Sequence, residues 1–198
     1  MTSKVRTSIS RTAWVGIIAT LLIGCSLKLI ERPATAQLCP LTETYTLTDF
    51  GFTIDYPAGW FPGHDGPTTI ICELEEDVRQ LQIDNAVVSG YCILHEHRDM
   101  RFMRSIGLPV DATIEDLFQF NSDFFGYQEP EVSESTLFGA PAIQVITVDE
   151  TGPTLDLTGF LADEAFLLSL QAPTTDALDA FLPTWEAIVA TIAPIATE

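Results

Sequence analysis

Residues 50–61 read Phe50-Gly51-Phe52-Thr53-Ile54-Asp55-Tyr56-Pro57-Ala58-Gly59-Trp60-Phe61. Phe50, Phe52, Ile54 and Tyr56 alternate with Gly51, Thr53 and Asp55, the period of a strand with one face in a core and the other in water. Pro57 has no amide hydrogen for a ladder, so the strand ends there. Ala58-Gly59 lets the chain turn and bring Trp60 and Phe61 back onto the apolar face. The rest of the chain is read as material laid against that face.

Outward from this stretch the alternation continues. Tyr45 and Leu47 begin it, and Leu38 to Thr48 is polar and threonine-rich. Gly63, Gly66 and Pro67 around His64 and Asp65 have the composition of a loop. Thr68 to Leu74 and Ala86 to His95 read as neighbouring strands, joined by an acidic connection, Glu75 to Asn85, with a helical turn. Thr113-Ile114-Glu115-Asp116 opens a capped helix, in which Ile114, Leu117, Phe118, Asn121, Phe124 and Phe125 form an aromatic stripe expected to face the core. Val132 to Phe138, Ala142 to Val148, Leu155 to Leu161 and Phe166 to Gln171 make a four-stranded antiparallel meander. Thr174-Thr175-Asp176 caps a closing helix with Leu178, Phe181, Trp185, Ile188 and Ile192 on one stripe, and Pro183 is expected to kink or restart it. The expected class is α+β, an antiparallel sheet covered by helices.

Residues 1–36 read as an export signal. Lys4, Arg6 and Arg11 precede an apolar run, Ala13 to Gly24, too short to span a bilayer comfortably. Two cleavage signals compete. Leu22-Ile23-Gly24-Cys25 resembles a lipobox, with Cys25 the lipidated first residue, and Ala34-Thr35-Ala36 before Gln37 suits ordinary signal peptidase. An uncleaved N-terminal anchor is the third reading. All three put a leader, 37–44, and a single domain, 45–198, outside the cytoplasm, with membrane contact only through a lipid or an uncleaved helix.

Residues 37–198 carry 27 acids against four arginines (Arg79, Arg98, Arg101, Arg104) and no lysine, a formal charge of −23. Such a surface repels phosphate backbones and disfavours nucleic acid as a partner. In an oxidising compartment Cys72 and Cys92, opposite one another on adjacent strands, are candidates for a disulfide, with buried free thiols the alternative and Cys39 able to clip the leader to the sheet.

One constellation has metal-ligand character. His95, His97 and Asp99 lie two apart along a strand, and His64 from the earlier loop is a further ligand for zinc, copper or manganese. A polar, water-facing strand is the competing reading. Glu73, Glu75, Glu76 and Asp77 offer carboxylates for calcium but lack the glycine-centred loop of an EF-hand. No Gly-x-Ser-x-Gly, phosphate-binding glycine loop or His-Glu-x-x-His is present, so no catalytic residue is assigned and a hydrolase is the minor reading.

The Phe50 to Trp60 opening, the capped helix Thr113 to Phe125, Leu137-Phe138-Gly139-Ala140-Pro141-Ala142 and the closing helix together resemble the PsbP-like family over Tyr45 to Ile195. The resemblance implies an α-β-α sandwich around an antiparallel sheet, no catalysis, and docking on a membrane protein complex such as a photosystem. The absence of lysine in residues 37–198 departs from docking through a basic surface. The expected function is a non-catalytic extracytoplasmic interaction module or assembly factor. A metal- or small-ligand-binding exported lipoprotein using His95 and His97 is the alternative.

Overall fold

The computed structural model describes residues 38–48, 51–65, 68–83, 87–161 and 164–195. Phe50, Cys25 and both cleavage signals lie outside them.

Among the described residues ten strands form two antiparallel sheets. The smaller holds β1 (Leu41–Leu47), β2 (Phe52–Pro57) and β10 (Ala193–Pro194), in the order β1-β2-β10. The larger holds β3 (Phe61–Asp65), β4 (Thr68–Cys72), β5 (Cys92–Arg98), β6 (Glu131–Leu137), β7 (Ala140–Asp149), β8 (Gly152–Leu161) and β9 (Glu164–Gln171), in the order β3-β4-β5-β9-β8-β7-β6. The meander is β6 to β9, and β5 joins it through β9. Four helices accompany the sheets: α1 (Glu75–Ile83), α2 (Met100–Ser105), α3 (Ile114–Phe125) and α4 (Thr175–Thr191). The class is α+β.

On β2, Phe52, Ile54 and Tyr56 are buried and Thr53 and Asp55 are not, as the alternation requires. They join Trp185, Phe181, Ile188 and Leu178 of α4 over the first face of the large sheet, which contributes Ile71, Ile93, Leu155, Leu157, Leu168 and Leu170. Trp60 stacks with Tyr91 and Phe181 at centroid distances of 6.4 and 5.7 Å. Phe61, expected to fold back with it, is instead 41% exposed at the start of β3.

The second face carries two smaller clusters. Under α1, Ile70, Cys72 and Cys92 meet Val78 and Leu81. Under α2 and α3, Ala165 meets Met100, Met103 and Leu117. The α3 N-terminus is a full capping box, with Thr113 accepting from the Asp116 amide and Asp116 accepting from the Thr113 amide, and Gly126 closes the helix at φ +68°.

Four local readings change. β1 begins inside the presumed leader, pairing Leu41 with Pro57. Residues 61–65 form an edge strand rather than a loop, where Pro62 and Gly63 are tolerated because an edge leaves ladder positions free. Residues 75–83 form a full helix rather than a single turn. α4 runs through Pro183 as one helix, with Thr184 and Trp185 each 1% exposed, so packing on the sheet outweighs the lost backbone bond.

Candidate functional site

The histidines predicted to converge are placed in different surroundings. His64 stands on the edge strand, where its Nε2 is hydrogen-bonded to the Tyr45 hydroxyl. His95 is 4% exposed, with the Phe52 and Phe166 rings 5.0 and 4.9 Å away, which corrects the expectation of a water-facing strand. The registers His64↔Thr69 and Thr69↔His95 put one whole strand between the two, a separation of roughly 10 Å. Asp99 caps α2, accepting from the Arg101 amide at 2.7 Å. His97 lies on β5, and its side chain is outside the described residues. Among the described residues no three His, Cys, Asp or Glu side chains gather as metal ligands would.

Two of the four calcium candidates are similarly engaged. Glu75 pairs with Arg79 at 2.5 Å on the surface of α1. Asp77, 1% exposed, accepts from the amides of Ser89 and Gly90 at 3.0 and 2.7 Å and so holds the chain entering β5. Cys72 and Cys92 are joined by a disulfide with Cα atoms 4.1 Å apart, and both are fully buried. Cys39 is not a free thiol.

The second face shows what the sequence reading missed. Between α1 and the end of α3 a cleft of about 700 Å³ opens over the middle strands. In its floor Asp156, 6% exposed, accepts from the Tyr127 hydroxyl at 2.5 Å and from the Ser169 hydroxyl. Burial pushes the Asp156 carboxyl above the ordinary aspartate range, opposed by those two hydrogen bonds and the positive charge of Arg98. Burial, and then the Asp156 charge, pushes the Tyr127 hydroxyl far up, so it stays protonated and donates.

Beside the cleft runs a second polar chain. Arg98 donates to Glu96 at 2.8 Å and to Asn121 Oδ1 at 3.3 Å, and Asn121 Nδ2 donates to Thr158 Oγ1 at 3.0 Å. The Arg98 guanidinium also lies 4.5 and 5.2 Å from the ring centres of Phe125 and Phe124. Asp156 and Thr158 alternate with Leu155 and Leu157, so the sequence presents them as a wet face. The register row Ile70, Leu94, Ser169, Asp156 is the signal that places them beneath helices.

The aromatic stripe of α3 is the other correction. Leu117 is buried and Phe120 partly so, but Phe124 and Phe125 are 59% and 41% exposed, and Phe102 on α2 is 59% exposed. Helical spacing put Phe124 and Phe125 on the face of Leu117, but there they meet the Arg98 guanidinium, and Phe125 borders the open cleft, rather than a closed core. Arg101 and Arg104, both exposed, share α2 with Phe102. Among the described residues no helix is long and apolar enough to cross a membrane.

No protein-family model matches the sequence, and no curated protein matches it. Among solved structures, the chain is similar to cyanobacterial PsbP (CyanoP) from Synechocystis sp. PCC 6803, with a TM-score of 0.50 and 13% identity over 83% of this chain and 98% of that one. A second is PA94 of Pseudomonas aeruginosa, a protein of unknown function described as a putative regulator, with a TM-score of 0.44 and 13% identity over 78% of this chain and 98% of that one. At such identity the likeness is one of fold, and the fold it supports is PsbP-like.

Proposed function

We propose that this protein is a non-catalytic interaction module that works outside the cytoplasm, in a periplasm, at a cell surface or in a thylakoid lumen. In this reading it docks on a membrane protein complex, as an accessory or assembly factor. The observation that carries the proposal is the exposed aromatic rings of α2 and α3: Phe102, Phe124 and Phe125 stand in water, the last two on a helix stripe that periodicity alone would bury. Aromatic rings beside arginine are the composition of interface anchors. Arg98 lies over the Phe124 and Phe125 rings and the exposed Arg101 and Arg104 share α2 with Phe102, while the rest of the domain is strongly acidic. A partner with apolar pockets and an acidic rim fits this patch and would be repelled elsewhere. The PsbP-like fold supports the same class of role.

The test is affinity purification of the tagged full-length protein from its native membranes, beside a Phe102→Ser, Phe124→Ser double variant. The expected result is a stoichiometric membrane complex retained by the wild type and lost by the variant, with unchanged circular dichroism. Recovery of the same partner in equal amount by both proteins overturns the assignment of this face. Finding no partner with either protein overturns the docking role.

A further inference from the structure

The second-face cleft meets the aromatic patch at Phe125, and the rest of its lining is different in kind. Four carboxylates line it, Asp65, Glu96, Asp149 and Asp156, and none of the lining residues is a lysine, arginine or histidine. Arg98 neutralises one of the four through Glu96 from outside the lining. At about 700 Å³ the space is that of a small-molecule site.

The hydrogen-bond inventory is unbalanced towards acceptors. Asp156 takes two hydroxyl hydrogens, and its ionised form, which an ammonium partner favours against burial, has about four acceptor sites and so retains lone pairs. Gln171 Oε1, also in the lining, is shut off from bulk water and receives no hydrogen bond from the protein. An anion would meet only negative charge here, and an apolar ligand would leave these acceptors unpaired. A single metal ion is matched poorly by carboxylates that do not gather in threes. Between the acceptors, Ile70, Leu81, Leu94 and Leu167 supply apolar lining.

We propose that the cleft between α1 and α3 binds a small organic polyamine, its ammonium groups donating to Asp149, Asp156 and Gln171 and its methylene segments lying on Ile70, Leu94 and Leu167. Charged N–H donors separated by short alkyl runs are the chemistry that satisfies dispersed acceptors and the apolar lining between them together. Of the aromatic patch only Phe125 borders the cleft, and none of the proposed contacts uses it, so the site stands or falls apart from the docking role.

The experiment is calorimetric titration of the purified full-length protein with spermidine at physiological ionic strength, where general attraction to a −23 domain is screened. Saturable binding of one spermidine per chain is expected, weakened at least tenfold by Asp156→Asn and also by Asp149→Asn, which changes an exposed turn and leaves the sheet intact. Glu186→Gln, on α4 across the sheet, is expected to bind as the wild type does. Binding that fails to saturate, or that weakens as much in Glu186→Gln as in the cleft variants, is charge attraction and overturns the site. No heat at millimolar spermidine, or equal affinity in wild type and both cleft variants, overturns it as well. Stoichiometric calcium binding that displaces spermidine and depends on Asp149 and Asp156 would replace the polyamine with a metal ion and overturn the ligand class.

Discussion

Replacing Arg98 by methionine keeps the aliphatic stem and deletes the guanidinium that joins β5 to α3. The side chain is 9% exposed and its partner Glu96 38% exposed, so the pair is neither a surface bridge nor a fully buried one. Three losses follow. Asn121, 1% exposed, loses the donor to its Oδ1, and an unsatisfied buried acceptor costs about 1–3 kcal/mol. Glu96 turns to water at a cost of at most about 1 kcal/mol, because a third of it is there already. The contacts with Phe124 and Phe125 contribute about 0.5–1 kcal/mol each. One gain opposes them: Arg98 Nε is buried without a partner, and removing it recovers about 1–2 kcal/mol. The net expectation is a destabilisation of about 2 kcal/mol. With a urea slope of about 1–3 kcal/mol per molar, the unfolding midpoint falls by about 1 M. Adding Asn121→Leu removes the orphaned acceptor at the cost of the hydrogen bond to Thr158, about 1 kcal/mol, and is expected to leave the double variant no less stable than the single one. A midpoint equal to or above that of the wild type for Arg98→Met alone, or a double variant less stable than the single one, would refute the reasoning.

Removing the Cys72–Cys92 disulfide by alanine at both positions frees a loop of 20 residues that contains α1, and chain entropy puts the loss at about 3 kcal/mol in thermal unfolding. Trp185→Ala leaves a cavity beneath α4, where the indole is 1% exposed, and should cost about 3–5 kcal/mol by urea titration. For Asp156 the sign follows from its raised titration: above the ordinary aspartate range the folded state holds a proton that the unfolded chain has released, so stability is fully present below that range and is lost as pH rises through the folded value. The stability of the wild type minus that of Asp156→Asn should therefore fall with rising pH, by at most about 1.4 kcal/mol per unit, and then level off. A difference that grows with pH would show that hydrogen bonds from Tyr127 and Ser169 outweigh burial.

Periodicity and capping chemistry made most of the fold legible. Phe52, Ile54 and Tyr56 could be assigned to a core because a strand buries every second residue. The Thr113 to Asp116 box marked the start of α3, and hairpin turns marked the meander. These signals say which side chains share a face; they do not say what lies opposite. Phe124 and Phe125 share the face of Leu117, yet they meet the charged end of Arg98, and Phe125 the open cleft, rather than a closed core. Asp156 and Thr158 alternate with leucines as water-facing residues do, and only the strand order puts α3 above them. His95 shares a face with Ile93, so its burial was readable from that neighbour. The polar stretch Leu41 to Thr46 and the Pro62-Gly63 pair look like loop because both strands lie at sheet edges, where composition is freest.

The two faces of the large sheet also explain why the cleft lies where it does. Seven strands at about 4.8 Å make a surface roughly 30 Å across, and a helix covers about 10 Å of it. On the first face α4 and the small sheet together close the surface, and the side chains there are nearly all apolar. On the second face α1 covers β4 and β5 at one end and α3 reaches β7 and β8 at the other, which leaves the centre without a lid. A gap serving stability alone would carry residues that stay solvated at little cost. Asp156 is instead buried and pushed towards its neutral form, and Gln171 Oε1 is shielded without a partner, so the centre of this face holds polar groups at a cost to folding that ligand binding would offset.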